Sequence, residues 1–305
     1  MVEILQKDGT WAFEGDAIRI VPGWDKGVHA ARQTLGELTV PLTAVAGISF
    51  EPGRKGGRLR LQLRHGADPL SRATGGRLPD AADPYQLTVD ASGADVAAYL
   101  VDEVRQALLL DQVPSGPVER YLLPGPAVPL SVSAGDGTVH FDGECVRLEW
   151  NWKTDEDKRT AGPTVLPLAE IRAVEWRPSA GLENGCLRFT TAGGPSRLPA
   201  KRDPHAVELY GFKKDPLMAL VAAAVTVRLP HPSGGAGGAE PAAPLPASSS
   251  VQQLEGAAPA APAAEPGADH DTLLRRLREL GELHHAGVLT DEEFTAAKQA
   301  ILRRF

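Results

Sequence analysis

DGTWAFEGDAIRI, residues 8–20, returns as DGTVHFDGECVRL, residues 136–148. Asp8, Gly9, Thr10, Phe13, Gly15 and Arg19 recur as Asp136, Gly137, Thr138, Phe141, Gly143 and Arg147, all at an offset of 128. Further on, VPLTAVAGISFEP (40–52) matches LPLAEIRAVEWRP (166–178) at offset 126, and GRLRL (57–61) matches GCLRF (185–189) at 128. Asp83-Pro84 pairs with Asp203-Pro204, and an apolar segment closes each copy, at 94–110 and 214–228. The order is kept and the shifts of offset fall in loops. A fixed-order internal match of this kind is the mark of duplication. The repeated unit is about 100 residues long.

Within one unit the local patterns are those of short strands. Ala17 to Val21 alternates, and so does Leu59 to Leu63, with Leu on one face and Arg60, Gln62 and Arg64 on the other. Gly56-Gly57 marks a tight turn that needs positive φ. Pro22-Gly23, Pro52-Gly53 and Asp83-Pro84 punctuate the rest. Six or seven strands followed by one helix are expected per unit. In the first closing helix Val96, Leu100, Val104 and Leu108 form a stripe, with Asp102, Glu103, Arg105 and Gln106 off it. The second, LMALVAAAVTV (217–227), has almost no polar face, so it is expected to be buried all round. Its own sheet would cover one side, and the other repeat or a second protomer the other.

Composition sets limits. The 305 residues suffice for about two domains, and 42% apolar content suffices for real cores. Residues 1–230 carry 26 Lys+Arg against 29 Asp+Glu, too little positive charge to favour nucleic acid. Cys145 and Cys186 lie far apart with no CxxC, which reads as two small buried hydrophobes rather than a disulfide or zinc cage. The N-terminus lacks a signal-peptide pattern, and the most apolar run is about half a membrane span. A cytoplasmic location without a transmembrane segment is the expectation.

The C-terminal quarter changes character. Residues 231–268 are nearly all Pro, Gly, Ala and Ser, a composition expected to remain a disordered linker. Residues 269–305 then read as a helical hairpin. Leu273, Leu277 and Leu280 make one stripe, Phe294, Ala297 and Ile301 the second, and Thr290 with Glu293 forms a capping box between them. A hairpin this small rarely stabilises itself, so its stripe should find a partner, by self-association or on another protein.

Taken together, the sequence predicts an α+β chain: a first β-rich repeat at 1–115, a second at 116–230, each closed by a C-terminal helix, then the linker and the hairpin. Many strands capped by one helix is the plan of pleckstrin-homology-like domains, and that analogy gives a fold, not a function. The runs VPLTAVAGISFEPGRKGGRLRLQLR, VRLEWNWKT and GFKKDPLMALVAAAV resemble a bacterial domain of unknown function, number 4429, which often occurs twice per chain. The run LRRLRELGELHHAGVLTDEEFTAAKQAIL (274–302), in a match covering 273–302, resembles the short C-terminal, or SHOCT, domain, which implies oligomerisation.

Catalytic motifs are absent from the sequence: there is no GxSxG, Walker A, GxGxxG after a strand, HExxH or EF-hand loop. No catalytic residue, metal ligand or cofactor is therefore expected. His284-His285 reads as a dipole-favoured helix end. Asp155 to Asp157 reads as a solvated acidic loop. The basic turn Arg54, Lys55 and Arg58 is a candidate anion-binding tip, though the matching stretch of the second copy has no base. Trp24 with Lys26, His29 and Arg32, and Trp150, Trp152 with Lys153, Lys158 and Arg159, form candidate interface loops. Burial of these tryptophans is the competing and favoured expectation. The leading function is a non-catalytic binding or scaffolding protein assembled through its tail. The alternatives are a peripheral module on anionic lipid and an enzyme with its site between the repeats.

Overall fold

A computed structural model describes residues 1–181 and 183–233. The hairpin and most of the linker lie outside the described residues, and with them Leu273, Leu277, Leu280, Phe294, Ile301 and the His284-His285 pair.

The first copy runs β1 (Val2–Gln6), β2 (Gly9–Phe13), β3 (Ala17–Pro22), α1 (Ala30–Leu35), β4 (Leu38–Pro41), β5 (Val45–Gly53), β6 (Gly56–Leu63), α2 (Pro69–Thr74), β7 (Gln86–Asp90) and α3 (Ala94–Leu110). The second runs β8 (Leu130–Ala134), β9 (Gly137–Phe141), β10 (Cys145–Trp150), α4 (Glu156–Ala161), β11 (Thr164–Pro167), β12 (Ile171–Arg177), β13 (Gly185–Thr191), β14 (Ala206–Leu209) and α5 (Asp215–Thr226). Each copy is thus a four-stranded antiparallel sheet, a three-stranded antiparallel sheet and a closing helix.

The two copies agree residue by residue. Val2 pairs with Phe13 and Gln6 with Gly9, as Leu130 pairs with Phe141 and Ala134 with Gly137. The same bulge interrupts β5 between Val45 and Gly47 and β12 between Ile171 and Ala173. The side chains of Asp83 and Asp203 each accept the backbone amide two residues on, both at 2.9 Å, because a carboxylate before proline readily closes such a turn. The duplication read from the sequence is present as a duplicated chain trace.

The β5–β6 hairpin shows why two glycines stand together. Gly53 pairs with Gly56, leaving Arg54-Lys55 as a two-residue turn, and Gly56 adopts φ +135°. A Cβ on Gly57 would meet the Phe50 ring at 2.5 Å. The first glycine therefore serves both the turn and the close approach of β7, where a Cβ would meet the Val89 carbonyl, and the second serves packing.

The copies differ in the connection between the last two strands, 22 residues (64–85) in the first and 14 (192–205) in the second. The surplus of the first copy holds α2, and α2 lies on α5. Asp68 caps α2, accepting from Leu70 N and Ser71 N at 3.1 and 2.8 Å, with Pro69 at its first position. Leu70, Ala73 and Ala82 join the core of the second copy there, together with Ala31 of α1. The buried α5 is hence covered by its own strands on one side and by the other repeat on the other. Its alanines, Ala219, Ala222, Ala223 and Ala224, permit close approach without side-chain entropy cost. Both copies belong to one compact unit.

Several sequence expectations need correction. In α3 the buried stripe is Ala97, Leu100, Val101 and Val104, and Val96 is 40% exposed, because the helix turns its 97/101/104 line toward β5 and β1. Cys186 is buried but Cys145 is only half-buried. Asp155 caps α4, and Glu156 and Asp157 form its first turn, where the helix dipole favours them, so this segment is a helix start rather than a loop.

Candidate interface at the tryptophan loops

The loops that follow β3 and β10 carry the features of interest. Their inner anchor is an ion pair that occurs in both copies. In the first, Asp8 Oδ2 lies 3.4 Å from Arg32 Nη1 and accepts Thr88 N at 3.1 Å. In the second, Asp136 Oδ2 lies 2.6 Å from Lys158 Nζ, and its Oδ1 accepts Glu208 N at 2.8 Å. One aspartate of the turn between the first two strands thereby ties the four-stranded sheet to the last strand of the other sheet. Lys158 also donates to Ala200 O at 3.1 Å and Ala206 O at 2.8 Å, so its three protons are all placed. Burial pushes the Asp136 carboxyl upward, while Lys158 and the Glu208 amide pull against it.

This geometry removes Lys158 from any ligand surface, since its donors are spent inside, whereas Arg32 keeps an unpartnered Nη2 and borders a recess with Lys55. Trp150 belongs with Lys158. Its Nε1 donates to Gly162 O at 2.8 Å and its ring lies 4.3 Å from Lys158 Nζ. Trp150 is therefore half-buried packing around the clamp, not an interface residue.

Trp24 and Trp152 behave oppositely. They occupy equivalent positions, two residues past the end of each third strand, and are 83% and 82% exposed. The expectation that they are buried fails for both. The fully buried tryptophans are instead Trp11 and Trp176. Lys26 is exposed beside Trp24.

In the second copy the exposed tryptophan has company. Lys153 Nζ lies 5.5 Å from the Trp152 ring, 5.7 Å from Tyr210 and 5.3 Å from Phe212, a cation over three aromatic faces. Phe212 is 58% exposed, and Lys213 and Lys214 follow it in the open. This 210–214 loop is held by Asp215, whose Oδ2 accepts Gly211 N at 2.6 Å and Phe212 N at 3.2 Å. Tyr210 stays a neutral phenol, pushed up to about 12 first by burial and then by Asp136 and Glu208. An open recess of about 650 Å³ lies between Trp152, Lys153, Phe212 and Lys214. His29, cap of α1, lies near enough to Lys213 for that residue to act on its titration. Burial lowers the His29 pKa, and Arg32 and Lys213 add to that.

Sequence reasoning missed Tyr210, Phe212, Lys213 and Lys214 as site residues. The signal was present in GFKKD, but it was read only as the approach to an apolar helix.

The basic hairpin tip is less of a site than the sequence suggested. Arg58 is ion-paired with Asp80, and Arg60 lies 3.7 Å from the same carboxylate. Arg54 and Lys55 remain exposed at the turn. Lys55 borders an open recess of about 580 Å³ whose lysines and His29 are balanced by Asp8, Asp25 and Asp90, so no anion-selective field converges there. Another recess, about 430 Å³, lies beside α2 over Asp68 and Tyr85, and that carboxylate is already engaged as a helix cap. Among the described residues no three His, Cys, Asp or Glu group together as metal ligands, and no helix is long and apolar enough to cross a membrane.

Two tandem β-rich units with a shared clamp define a duplicated-domain protein. The family model described as Domain of unknown function (DUF4429) matches residues 11–105 and again 139–226, and the Short C-terminal domain (SHOCT) model matches 275–302. The chain belongs to the DUF4429 family, in a two-copy form followed by a SHOCT segment. No curated protein matches the chain closely enough to count as a relative.

Proposed function

We propose that this chain is a non-catalytic binding and scaffolding protein, in which a rigid double-repeat body carries a recognition surface and the SHOCT segment assembles copies. The observation that carries the reading is the pair of equivalent tryptophans, Trp24 and Trp152, both more than four-fifths exposed. A large aromatic side chain held exposed at the same position in both copies is a ready contact for a partner, and in the second copy it joins Phe212 in an apolar patch of the kind that marks interaction sites. The contact between the repeats supports the same reading, because Leu70, Ala73 and α5 fill it with apolar side chains where an enzyme cleft would need converging polar groups. We read each unit as pleckstrin-homology-like on its order of four strands, three strands and a helix. The SHOCT half of the proposal rests on the leucine stripe and on the small size of that segment. Assembly would multiply a weak recognition surface by tethering.

Light scattering on the full chain and on a chain ending at Glu240 tests the assembly. The full chain should show a multiple of the protomer mass and the shortened chain a single mass. Equal masses would remove the scaffolding role.

A further inference from the structure

Resting on the binding role just proposed, we infer that Trp152, Phe212, Lys153, Lys213 and Lys214 form one docking surface for an anionic lipid bilayer.

The chemistry is that of an interface between oil and charge. Trp152 and Phe212 present apolar rings to solvent on loops, at 82% and 58% exposure. Aromatic rings with a polar edge settle at the headgroup level of a bilayer. The three lysines stand around them, where they face phosphate oxygens once the rings enter. The net charge of the surface comes from Lys153, Lys213 and Lys214. The loop is held in shape before any ligand arrives, since Asp215 takes the amides of Gly211 and Phe212 and is itself buried. That arrangement lowers the ordering cost of docking.

The surface is specific to the second copy in its charge. The stretch of the first copy that corresponds to 210–214 is Asp90 to Ala94, with no aromatic and no base. A single strand of nucleic acid also stacks on aromatics, but it needs a longer basic track than three lysines in a body whose first 230 residues are net acidic.

Full-length protein is sedimented with vesicles of phosphatidylcholine alone and of phosphatidylcholine mixed with phosphatidylglycerol, at low and high salt. Binding is expected only to the mixed vesicles, and it should weaken with salt. The triple variant K153E/K213E/K214E should bind at least about 100-fold more weakly, roughly a factor of five per lysine. W152A/F212A should lose binding at both salt levels. All these positions are exposed, and near-ultraviolet circular dichroism verifies that each variant keeps its fold. Soluble glycerophosphoglycerol separates a lipid surface from a headgroup pocket. Failure to displace the protein fits a surface, and full displacement overturns it. Equal sedimentation with both vesicle types overturns the inference, as does preferential binding of a single-stranded oligonucleotide lost in the same variants. None of these failures alters the light-scattering mass, so the scaffolding role stands or falls separately.

Discussion

Asp136 and Lys158 meet at 2.6 Å with their side chains 1% and 0% exposed, and the same two positions in the first copy hold Asp8 and Arg32 at 3.4 Å. The clamp is therefore duplicated, yet the two versions differ in how dry they are. The Asp8 side chain keeps 25% exposure, so water shares its charge. Removing a buried cation leaves an unpaired carboxylate, which costs about 3–5 kcal/mol. Lys158→Met should lower stability by that amount in urea unfolding. Arg32→Met should cost about 1–2 kcal/mol, the loss of a hydrogen bond to a partly wetted group. Combining Asp136→Asn with Lys158→Met should recover much of the loss. A larger effect at Arg32 than at Lys158 would contradict the burial difference.

The interface between the copies makes its own prediction. Leu70 on α2 is 3% exposed and packs into the core around α5. Leu70→Ala should cost about 2–5 kcal/mol by transfer and cavity terms. Leu109 on α3 is 79% exposed, and Leu109→Ala should stay within about 0.5 kcal/mol. Denaturation midpoints of the two variants decide the matter. Similar losses would mean that α3 is covered as α5 is.

Asp68 gives a pH dependence. Its carboxyl is fully buried, and burial raises its pKa against the opposing hydrogen bonds from Ser71, Leu70 and Tyr85. The folded chain thus holds this proton more tightly than the unfolded one. Between the ordinary aspartate value and the raised one, the folded state carries more proton, so the contribution of this group to stability falls as pH rises through that interval. Asp68→Asn keeps an N-cap acceptor and should flatten this part of the stability–pH curve. Asp68→Ala removes the cap and should cost about 0.5–2 kcal/mol at neutral pH. An unchanged curve in the Asn variant would show that Asp68 does not titrate there.

Much of this architecture was legible because duplication prints itself in sequence order. The strands, the Gly56 turn and the all-round burial of α5 follow from periodicity and from residue types with one physical use. What covers α5 was not legible. The eight extra residues between β6 and β7 read as loop, since α2 is under two turns long and its amphipathic pattern has no room to repeat. The clamp was hidden for another reason. Asp8 and Arg32 are 24 residues apart and their pairing exists only after two sheets close. Lys158 in KTDEDKRT looked like one more surface charge, and its burial depends on carbonyls of residues 200 and 206.

Two glycines with positive φ separate backbone preference from steric exclusion. Gly135, φ +61°, precedes the clamp turn, and a Cβ there would run into the carbonyl of Glu208 and lie 3.2 Å from Leu209 Cα. Gly162, φ +78°, follows α4 and has open space where a Cβ would go. Gly162, with ψ −173°, sits in a backbone region almost reserved for glycine, so alanine there should pay only that backbone cost, about 1–3 kcal/mol. Alanine at Gly135 adds a backbone collision at the seam between β14 and the β8–β9 turn, and should cost more than about 3 kcal/mol. It should also loosen the Asp136–Glu208 hydrogen bond, because that amide and the colliding carbonyl belong to the same residue. Hydrogen exchange at the Glu208 amide should therefore quicken in Gly135→Ala and not in Gly162→Ala. If both variants lose the same stability and leave that amide protected, the close approach of the turn to β14 is not what requires glycine at 135.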